Sequence, residues 1–134
     1  MGTVACVLFV NNENKILLYL RNNKPGIPYP NTWAMLGGHS EPGETIIDCL
    51  KREIKEEINY DLKNSRFMDK FEDGAGNEVY VHISEIEMRI DELKLKDGQK
   101  LGFFYFDEII NLNIPEKFRK FLLKNKYKII NDVA

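Results

Sequence analysis

The order of apolar and polar residues along the chain predicts a mixed α/β protein. Residues 3–10 are β-branched or apolar, a polar turn follows at 11–14, and residues 15–21 are again mainly apolar. Two such runs joined by a short polar turn are typical of a β-hairpin. By the same criteria, further strands are predicted at 33–36, 66–72, 78–87 and 100–106.

Two principal helices are predicted between and after these strands. The first covers about residues 44–58, and the second covers about 115–126 and begins at a proline, which suits a first helical turn. Residues 22–32, which contain three prolines, and the charged residues 88–99 are predicted as loops. No repeat, low-complexity tract or linker interrupts this order. Residues 1–134 are therefore expected to form a single α+β domain with a mixed sheet.

The composition is that of a folded, soluble protein without an excess of basic charge. With 43% hydrophobic and 30% charged residues, a chain of 134 residues is long enough for a substantial core. The formal net charge of −2 gives little electrostatic help with a polyanion, so a nucleic-acid partner is not expected. No apolar run approaches the length of a membrane span, so no membrane association is expected.

The two cysteines and the first residues predict a cytoplasmic location. Cys6 and Cys49 are too few for a disulfide framework and lie in apolar surroundings, so reduced and buried thiols are expected. The opening MGTVACVLFV lacks a basic n-region and runs directly into the polar turn. These residues predict a strand rather than a signal peptide.

Three glutamates crowd together on the first predicted helix. At about 100° per residue, with Arg52 as the origin, Glu56, Glu53 and Glu57 fall at about 40°, 100° and 140°. The apolar stripe lies beside them at about 160° to 240°, and it consists of Ile47, Leu50, Ile54 and Ile58. Like charges four residues apart destabilise a helix by roughly 0.2–0.5 kcal/mol. A solvated helix face is the ordinary explanation of such a cluster.

The residues that precede this helix favour a metal site over a solvated face. Gly37 and Gly38 end a strand and allow the backbone to approach a ligand closely. A carbonyl from this glycine turn and the carboxylates of the facing helix would supply only oxygen ligands. Hard divalent cations, Mg²⁺ above all, prefer such ligands. A bound cation would also remove the repulsion among the glutamates.

The spacing of these residues closely resembles the Nudix box, the signature motif of the Nudix hydrolase family. The motif has a glycine, five residues, a glutamate, seven residues and then Arg-Glu-hydrophobic-x-Glu-Glu-x-Gly-hydrophobic. Residues 38–60 match it at every fixed acidic and basic position. The departures are Leu36 in place of a frequent proline, Asn59 in place of the second glycine and Tyr60 in place of an aliphatic residue. Asn59 tolerates the left-handed conformation that ends a helix, and none of the three is an implied ligand.

The resemblance implies a Nudix-type α/β/α sandwich, in which a mixed sheet lies between helices. It also implies hydrolysis of a nucleoside diphosphate linked to another moiety, with Mg²⁺ or Mn²⁺ as the cofactor. The implied metal ligands are Glu53, Glu56 and Glu57, together with a carbonyl of Gly38 or Gly37.

Four side chains receive other roles from the same resemblance. Glu53 is our candidate for the base that activates water, and Arg52 would hold the glutamates by charge-assisted hydrogen bonds. Glu44 would support the loop or a water molecule. Asp97, in Asp97-Gly98-Gln99, is similar to the Glu-Gly-Gln segment that supplies a further acid in MutT-type members. An ordinary Asp-Gly turn is an equal alternative for this segment.

Three residues near the box are candidates for contact with the substrate. Tyr29 and Trp33 lie next to the proline-rich loop, and core packing is the alternative for Trp33. His39 would either contact phosphate or, as we expect, cap the turn after the glycines.

The favoured function is a MutT-like diphosphatase of nucleoside triphosphates or of oxidised nucleotides, which acts on a small-molecule nucleotide. The alternatives are hydrolysis of ADP-ribose, of a nucleotide sugar or of a dinucleoside polyphosphate. A non-catalytic nucleotide-binding regulator on the same fold is an alternative of another class. Regulators of that kind often lose box glutamates, which this chain keeps. Dimers are common in the family, so a homodimer stays open.

Overall fold

A mixed β-sheet with helices on both faces organises the chain. The computed structural model describes residues 2–133, with side chains as far as residue 130. The strands are β1 (Gly2–Val10), β2 (Ile16–Leu20), β3 (Trp33–Ala34), β4 (Leu36–His39), β5 (Arg66–Glu72), β6 (Asn77–Glu85) and β7 (Lys100–Phe104). The helices are α1 (Ile46–Ile58), α2 (Phe106–Ile110), α3 (Glu116–Lys124) and α4 (Lys126–Val133). None of the helices within residues 2–133 is long and apolar enough to cross a membrane.

β1 is the central strand and pairs with three others. The main order of the sheet is β3-β2-β1-β6-β5, while β4 pairs with β1 and β7 pairs with β2. The β1–β6 pair is parallel and the other pairs are antiparallel. The predicted hairpin of β1 and β2 and the predicted mixed sheet are therefore confirmed.

Alternate residues of β1 supply two separate cores, as the two-residue period of a strand requires. One core lies against α1 and includes Ala5, Val7 and Phe9 of β1. The other includes Cys6, Leu8 and Val10 of β1 and buried residues of α2, α3 and α4. The sheet is thus covered on both faces, which is the α/β/α sandwich that the sequence predicted.

The predicted helices differ from the observed ones at their ends. α1 begins at Ile46 rather than at residue 44, because the Thr45 hydroxyl accepts a hydrogen bond from the Asp48 N–H at 3.1 Å and so caps the helix. The second predicted helix, at about 115–126, corresponds to α3, and α4, which follows it after Asn125, was not predicted. α2 was not predicted: its first residue, Phe106, ends the aromatic run that we assigned to a strand, and residues 107–110 were assigned to no element.

The strand predicted at 33–36 is also two elements. β3 ends at Ala34 and β4 begins at Leu36, so Gly37 and Gly38 belong to a strand and not to the turn after one. In the β1–β4 ladder, Gly37 lies opposite Cys6 and Gly38 lies opposite Ala5. This ladder places both glycines between the central strand and the first helix.

Asn59 ends α1 in the left-handed conformation that the sequence predicted for this position. Its φ and ψ are 54° and 41°, and its N–H donates to the Lys55 carbonyl at 3.1 Å. The departure from the glycine of the Nudix box therefore leaves the helix end intact.

We expect Asn59→Ala to lower the free energy of unfolding by about 1 kcal/mol, because the left-handed conformation costs an ordinary residue roughly 1–2 kcal/mol. Asn59→Gly is the matched control and should not lower it, since glycine has no Cβ to clash. Urea unfolding followed by circular dichroism measures both variants. Equal stabilities of the two variants would contradict this role of the backbone conformation.

Candidate active site

α1 turns two of its three glutamates toward the sheet. Ile47, which we placed in the apolar stripe, is 36% exposed, so this prediction was wrong. The buried face is centred closer to Glu53 and Glu57, and both of these side chains are half-buried. The buried residues of the helix are Cys49, Leu50, Ile54 and Ile58.

Two glycines of β4 allow the strand and the helix to come this close. A Cβ at Gly38 would collide with the carboxylate of Glu53. Gly37 has a φ of +150°, a conformation that L side chains rarely adopt, and a Cβ there would collide with the backbone of β1. The Gly37 N–H donates a hydrogen bond of 3.2 Å to Oε1 of Glu57. The glycine pair thus has a packing cause, because a larger residue would meet the β1 backbone at Gly37 and would displace the Glu53 carboxylate at Gly38.

Arg52 holds most of the remaining acidic groups. Its Nε and Nη2 donate to the two carboxylate oxygens of Glu44 at 2.7 and 3.0 Å, and its Nη1 donates to Oε1 of Glu53 at 2.9 Å. The Glu56 carboxylate lies 3.5 Å from Nη1, and the His39 carbonyl accepts from Nη2 at 3.1 Å. Bidentate contacts of this kind are strong and directional. The hydrogen bonds from Arg52 are the main reason why the pKa of Glu44 falls to about 2.

Glu57 is the acidic group that Arg52 does not neutralise. Burial, and then the charge of Glu53, raise the pKa of Glu57 to about 8, and the hydrogen bond from Gly37 opposes this rise only in part. The recorded ion pairs of Arg52 are with Glu41, Glu44, Glu53 and Glu56. Two carboxyl groups, those of Glu53 and Glu57, therefore lie close together, and the charged form of Glu57 is disfavoured.

These groups have the chemistry of a hard-cation site, but they are not gathered into a preformed one. Among the side chains of residues 2–130, no three His, Cys, Asp or Glu groups form a cluster that could hold a metal ion. The neighbouring carboxylates of Glu53 and Glu57 are ligands that Mg²⁺ prefers, and a cation between them would relieve their repulsion. Glu56 is 51% exposed and turned toward Arg52, so it would have to leave that contact to complete the set. The Gly38 carbonyl accepts a weak hydrogen bond from the Cys49 thiol at 3.6 Å.

Asp97 makes its contacts elsewhere. Its side chain is exposed, and its carboxylate accepts a hydrogen bond of 2.7 Å from the Asn22 amide. The segment does pass the C-terminal end of α1, where the Lys96 N–H donates to the Glu57 carbonyl at 2.8 Å. In this conformation Asp97 ties the proline-rich loop to the segment before β7. Its catalytic role stays a prediction.

A cavity of about 430 Å³ lies beside the glycine pair and shares Gly37 and Gly38 with the carboxylate cluster. Tyr29, Trp33 and His39, the three residues predicted near the substrate, all line it. Trp33 also packs edge-on against Phe104, so it takes part in the core and in the cavity. His39 ends β4 opposite Val4 and does not cap the turn as we expected.

Sequence reasoning missed other residues of this cavity. Cys6 is on β1, Asp73 and Asn77 flank the turn between β5 and β6, and Phe118 is on α3. Cys6 lies on the face of the sheet opposite α1. Nothing in the sequence indicated which elements would cover this face. Only strand pairing and the docking of α3 bring these four residues together.

Fold and site together define the class of this protein. The sequence model of the NUDIX domain matches residues 1–123, and the chain belongs to the Nudix family. The resemblance that the sequence predicted is therefore confirmed, and Nudix hydrolases generally need a divalent metal.

Two curated relatives show the closeness of the match. The chain is 34% identical over 89 residues to the nucleoside triphosphatase NudI of Escherichia fergusonii, covering 59% of this chain and 62% of that protein. It is 38% identical over 61 residues to NudI of Enterobacter sp. strain 638, covering 46% of this chain and 42% of that protein. The matches thus span less than two thirds of the length of these relatives.

Solved structures share the fold across nearly the whole chain. A MutT structure from work on Aliivibrio salmonicida and Vibrio cholerae has a TM-score of 0.75, with 18% identity and 98% of both chains covered. The MutT protein of Methanosarcina mazei Go1 also has a TM-score of 0.75, with 18% identity and 95% and 94% of the two chains covered. At this identity the likeness establishes the fold alone.

We expect the metal-free protein to lose stability as the pH rises from about 5 to about 8.5, with Glu57 as a main cause. The pKa of Glu57 is about 8 in the folded protein against an ordinary value of 4.5. Between these values the folded state binds more protons than the unfolded state, so stability falls with rising pH. The contribution of Glu57 to the free energy of unfolding is complete below about pH 4.5 and is lost as the pH passes through about 8.

Urea unfolding in EDTA at fixed ionic strength, compared between the unaltered protein and Glu57→Gln, measures this contribution. The variant should show a flatter dependence on pH, and Mg²⁺ should restore the stability lost at high pH only in the unaltered protein. Glu13→Gln, in an exposed turn, is the matched control and should keep the original slope. Equal slopes for Glu57→Gln and the unaltered protein would contradict the burial of an uncompensated carboxyl group.

Proposed function

We propose that this protein is a metal-dependent pyrophosphohydrolase that converts a nucleoside triphosphate, normal or oxidised, to the monophosphate and pyrophosphate. The main support is the adjacency of two features, the carboxylate pair Glu53–Glu57 and the cavity that shares Gly37 and Gly38 with it. Both curated relatives described above are called nucleoside triphosphatases. Their names favour a triphosphate over ADP-ribose or a nucleotide sugar as the substrate.

The proposed orientation follows from the chemistry of the two features. The cavity is lined mainly by apolar and aromatic side chains, including Trp33 and Phe118, and suits a nucleoside. The carboxylate pair repels bare phosphate and is suited to it only through a cation. The phosphate chain would therefore lie across Gly37 and Gly38, with the nucleoside in the cavity.

Glu53 and Glu57 would hold the cation, and Glu56 would join them after turning away from Arg52. A divalent cation bound there would neutralise phosphate charge and lower the pKa of a bound water. Arg52 fixes the position of Glu53 through Oε1, and Glu44 in turn fixes Arg52 through two hydrogen bonds. Loss of Glu44 would therefore loosen the site without removing a ligand.

In the proposed reaction, water attacks one phosphorus in line with the bridging oxygen. The oxygen of the water forms a new P–O bond, the bridging P–O bond breaks, and its electron pair leaves with pyrophosphate. Glu53 is our candidate to accept the proton of the water. A positioned base of this kind contributes about 10²–10⁴-fold to a rate, while Asp97 is the second candidate for the same role.

The test is turnover with Mg²⁺ on a panel of nucleotides, with products identified by phosphorus NMR. The panel contains normal and oxidised nucleoside triphosphates, ADP-ribose, nucleotide sugars and dinucleoside polyphosphates. We expect monophosphate and pyrophosphate from triphosphates, and a loss of at least about 10²-fold in kcat for Glu53→Gln and for Glu57→Gln. Glu13→Gln is the matched control. Asp97→Asn should change kcat by less than about tenfold if Glu53 is the base, since the contribution of the base lies above that.

The other outcomes separate the alternatives. Cleavage of ADP-ribose or a nucleotide sugar without cleavage of triphosphates would replace this substrate class by a diphosphate-linked one. Binding of a nucleotide without any turnover would contradict the enzymatic proposal and favour a regulator. A large loss for Asp97→Asn with retained activity in Glu53→Gln would move the base to Asp97.

A further inference from the structure

The inner walls of the cavity are aromatic and aliphatic. Trp33, Phe71 and Phe118 line it from β3, β5 and α3, and Val79 lines it from β6. Such walls bind the flat face of a base by stacking and by burial of apolar surface, and every base has such a face. The walls therefore give no means to distinguish one base from another.

The polar side chains near the proline-rich loop already have partners within the protein. Arg21 donates from Nε to the Pro28 carbonyl at 3.0 Å and from Nη1 to the Tyr19 hydroxyl at 3.1 Å. The Thr32 hydroxyl donates to the Tyr29 carbonyl at 2.8 Å. These bonds stabilise the loop and direct part of the Arg21 guanidinium and the Thr32 hydroxyl hydrogen to partners within the protein.

The polar side chains at the opposite wall are engaged in the same way. Asp73 accepts hydrogen bonds at Oδ1 from the N–H groups of Ala75 and Asn77 at 2.8 and 3.1 Å, and at Oδ2 from the Asn77 amide at 2.8 Å. The Asn77 amide oxygen lies against Gly2, where a Cβ would collide with it. The Tyr29 hydroxyl donates to the Asp73 carbonyl at 3.3 Å and joins the two walls.

The part of the chain that the structure describes has no buried side-chain polar group without a hydrogen-bond partner. Between residues 2 and 130, whose side chains the structure describes, every buried side-chain nitrogen or oxygen has a hydrogen-bond partner. Three titratable side chains of the lining are exposed: Tyr29, whose hydroxyl donates to the Asp73 carbonyl, and His39 and Lys117. Lys117 is a flexible donor on a long stem, and a solvated donor of this kind gives little preference among acceptors on different bases.

We propose that the cavity selects a nucleobase by enclosure and stacking and not by hydrogen bonds to its edge, so that the protein accepts purine and pyrimidine nucleotides alike. This inference rests on the proposed function for the location of the nucleoside. Substrate choice then depends on the phosphate chain at the carboxylates. An apolar pocket discriminates between similar groups by up to about 10²-fold, whereas a site built to hydrogen-bond a group discriminates by about 10⁴–10⁵-fold.

The test is the binding of non-hydrolysable triphosphates that differ only in their base, with Mg²⁺, by titration calorimetry. Adenine, guanine, 8-oxoguanine, cytosine, thymine and uracil derivatives, together with an abasic ribose triphosphate, form the series. We expect the six Kd values to lie within about 10²-fold of one another, and the abasic compound to bind at least tenfold more weakly than any of them. The kcat/KM values of the hydrolysable counterparts should follow the same order.

A variant in the wall tests whether the base contacts the cavity. Tyr29 is 45% exposed, so Tyr29→Ala should fold. We expect this variant to raise the Kd values of all six nucleotides by a similar factor and to leave the Kd of the abasic compound unchanged. Tyr127→Ala, which removes a tyrosine that is 77% exposed on α4, is the matched control and should change none of the Kd values.

Three results would overturn the inference. One is a preference of more than 10²-fold for a single base, the second is an abasic compound that binds as well as the others, and the third is no binding by any member of the series. The proposed function fails separately, when nucleotides bind but no phosphoric anhydride is cleaved. In that case the range of Kd values still decides how the base is selected.

Discussion

The close approach of β4 to α1 is the constraint on which the rest of the site depends. A Cβ at Gly37 would collide with the backbone of β1, and a Cβ at Gly38 would require the Glu53 carboxylate to move. At this contact, two carboxylates of α1, those of Glu53 and Glu57, are half-buried. The same two residues border the cavity, so one backbone feature sets the distance between the charged and the apolar parts of the site.

The electrostatic balance of the site is incomplete without a cation. A single guanidinium, that of Arg52, serves Glu44, Glu53 and Glu56, and Glu57 keeps a raised pKa because burial and Glu53 disfavour its charged form. Folding is compatible with this arrangement because Gly37 donates to Glu57 and the core beneath the helix is well packed. A buried carboxyl group whose charged form lacks a cationic partner agrees with membership of a family that generally needs a divalent metal.

The cavity has the opposite character, since its polar groups are satisfied by one another. The hydrogen bonds of Asp73 with Asn77 and of Arg21 with the Pro28 carbonyl stabilise two loops that border the cavity. A rigid, internally bonded wall presents shape and apolar surface to a ligand. In the proposed function, the acidic half of the site would act on phosphate through a cation, and the apolar half would enclose the nucleoside.

The sequence by itself determined the family, the mixed sheet and the acidic residues of the site, because the spacing of Gly38, Glu44 and Arg52-Glu53 and the period of each strand are local features. It did not determine how α1 is rotated, so Ile47 was misplaced. It also left α2 unassigned, because five residues carry too little periodicity to identify a helix. Tertiary structure alone decided that Asp97 bonds to Asn22 and that Cys6, Asp73 and Phe118 line one cavity. These contacts join residues far apart in the chain, and strand pairing and helix docking bring them together.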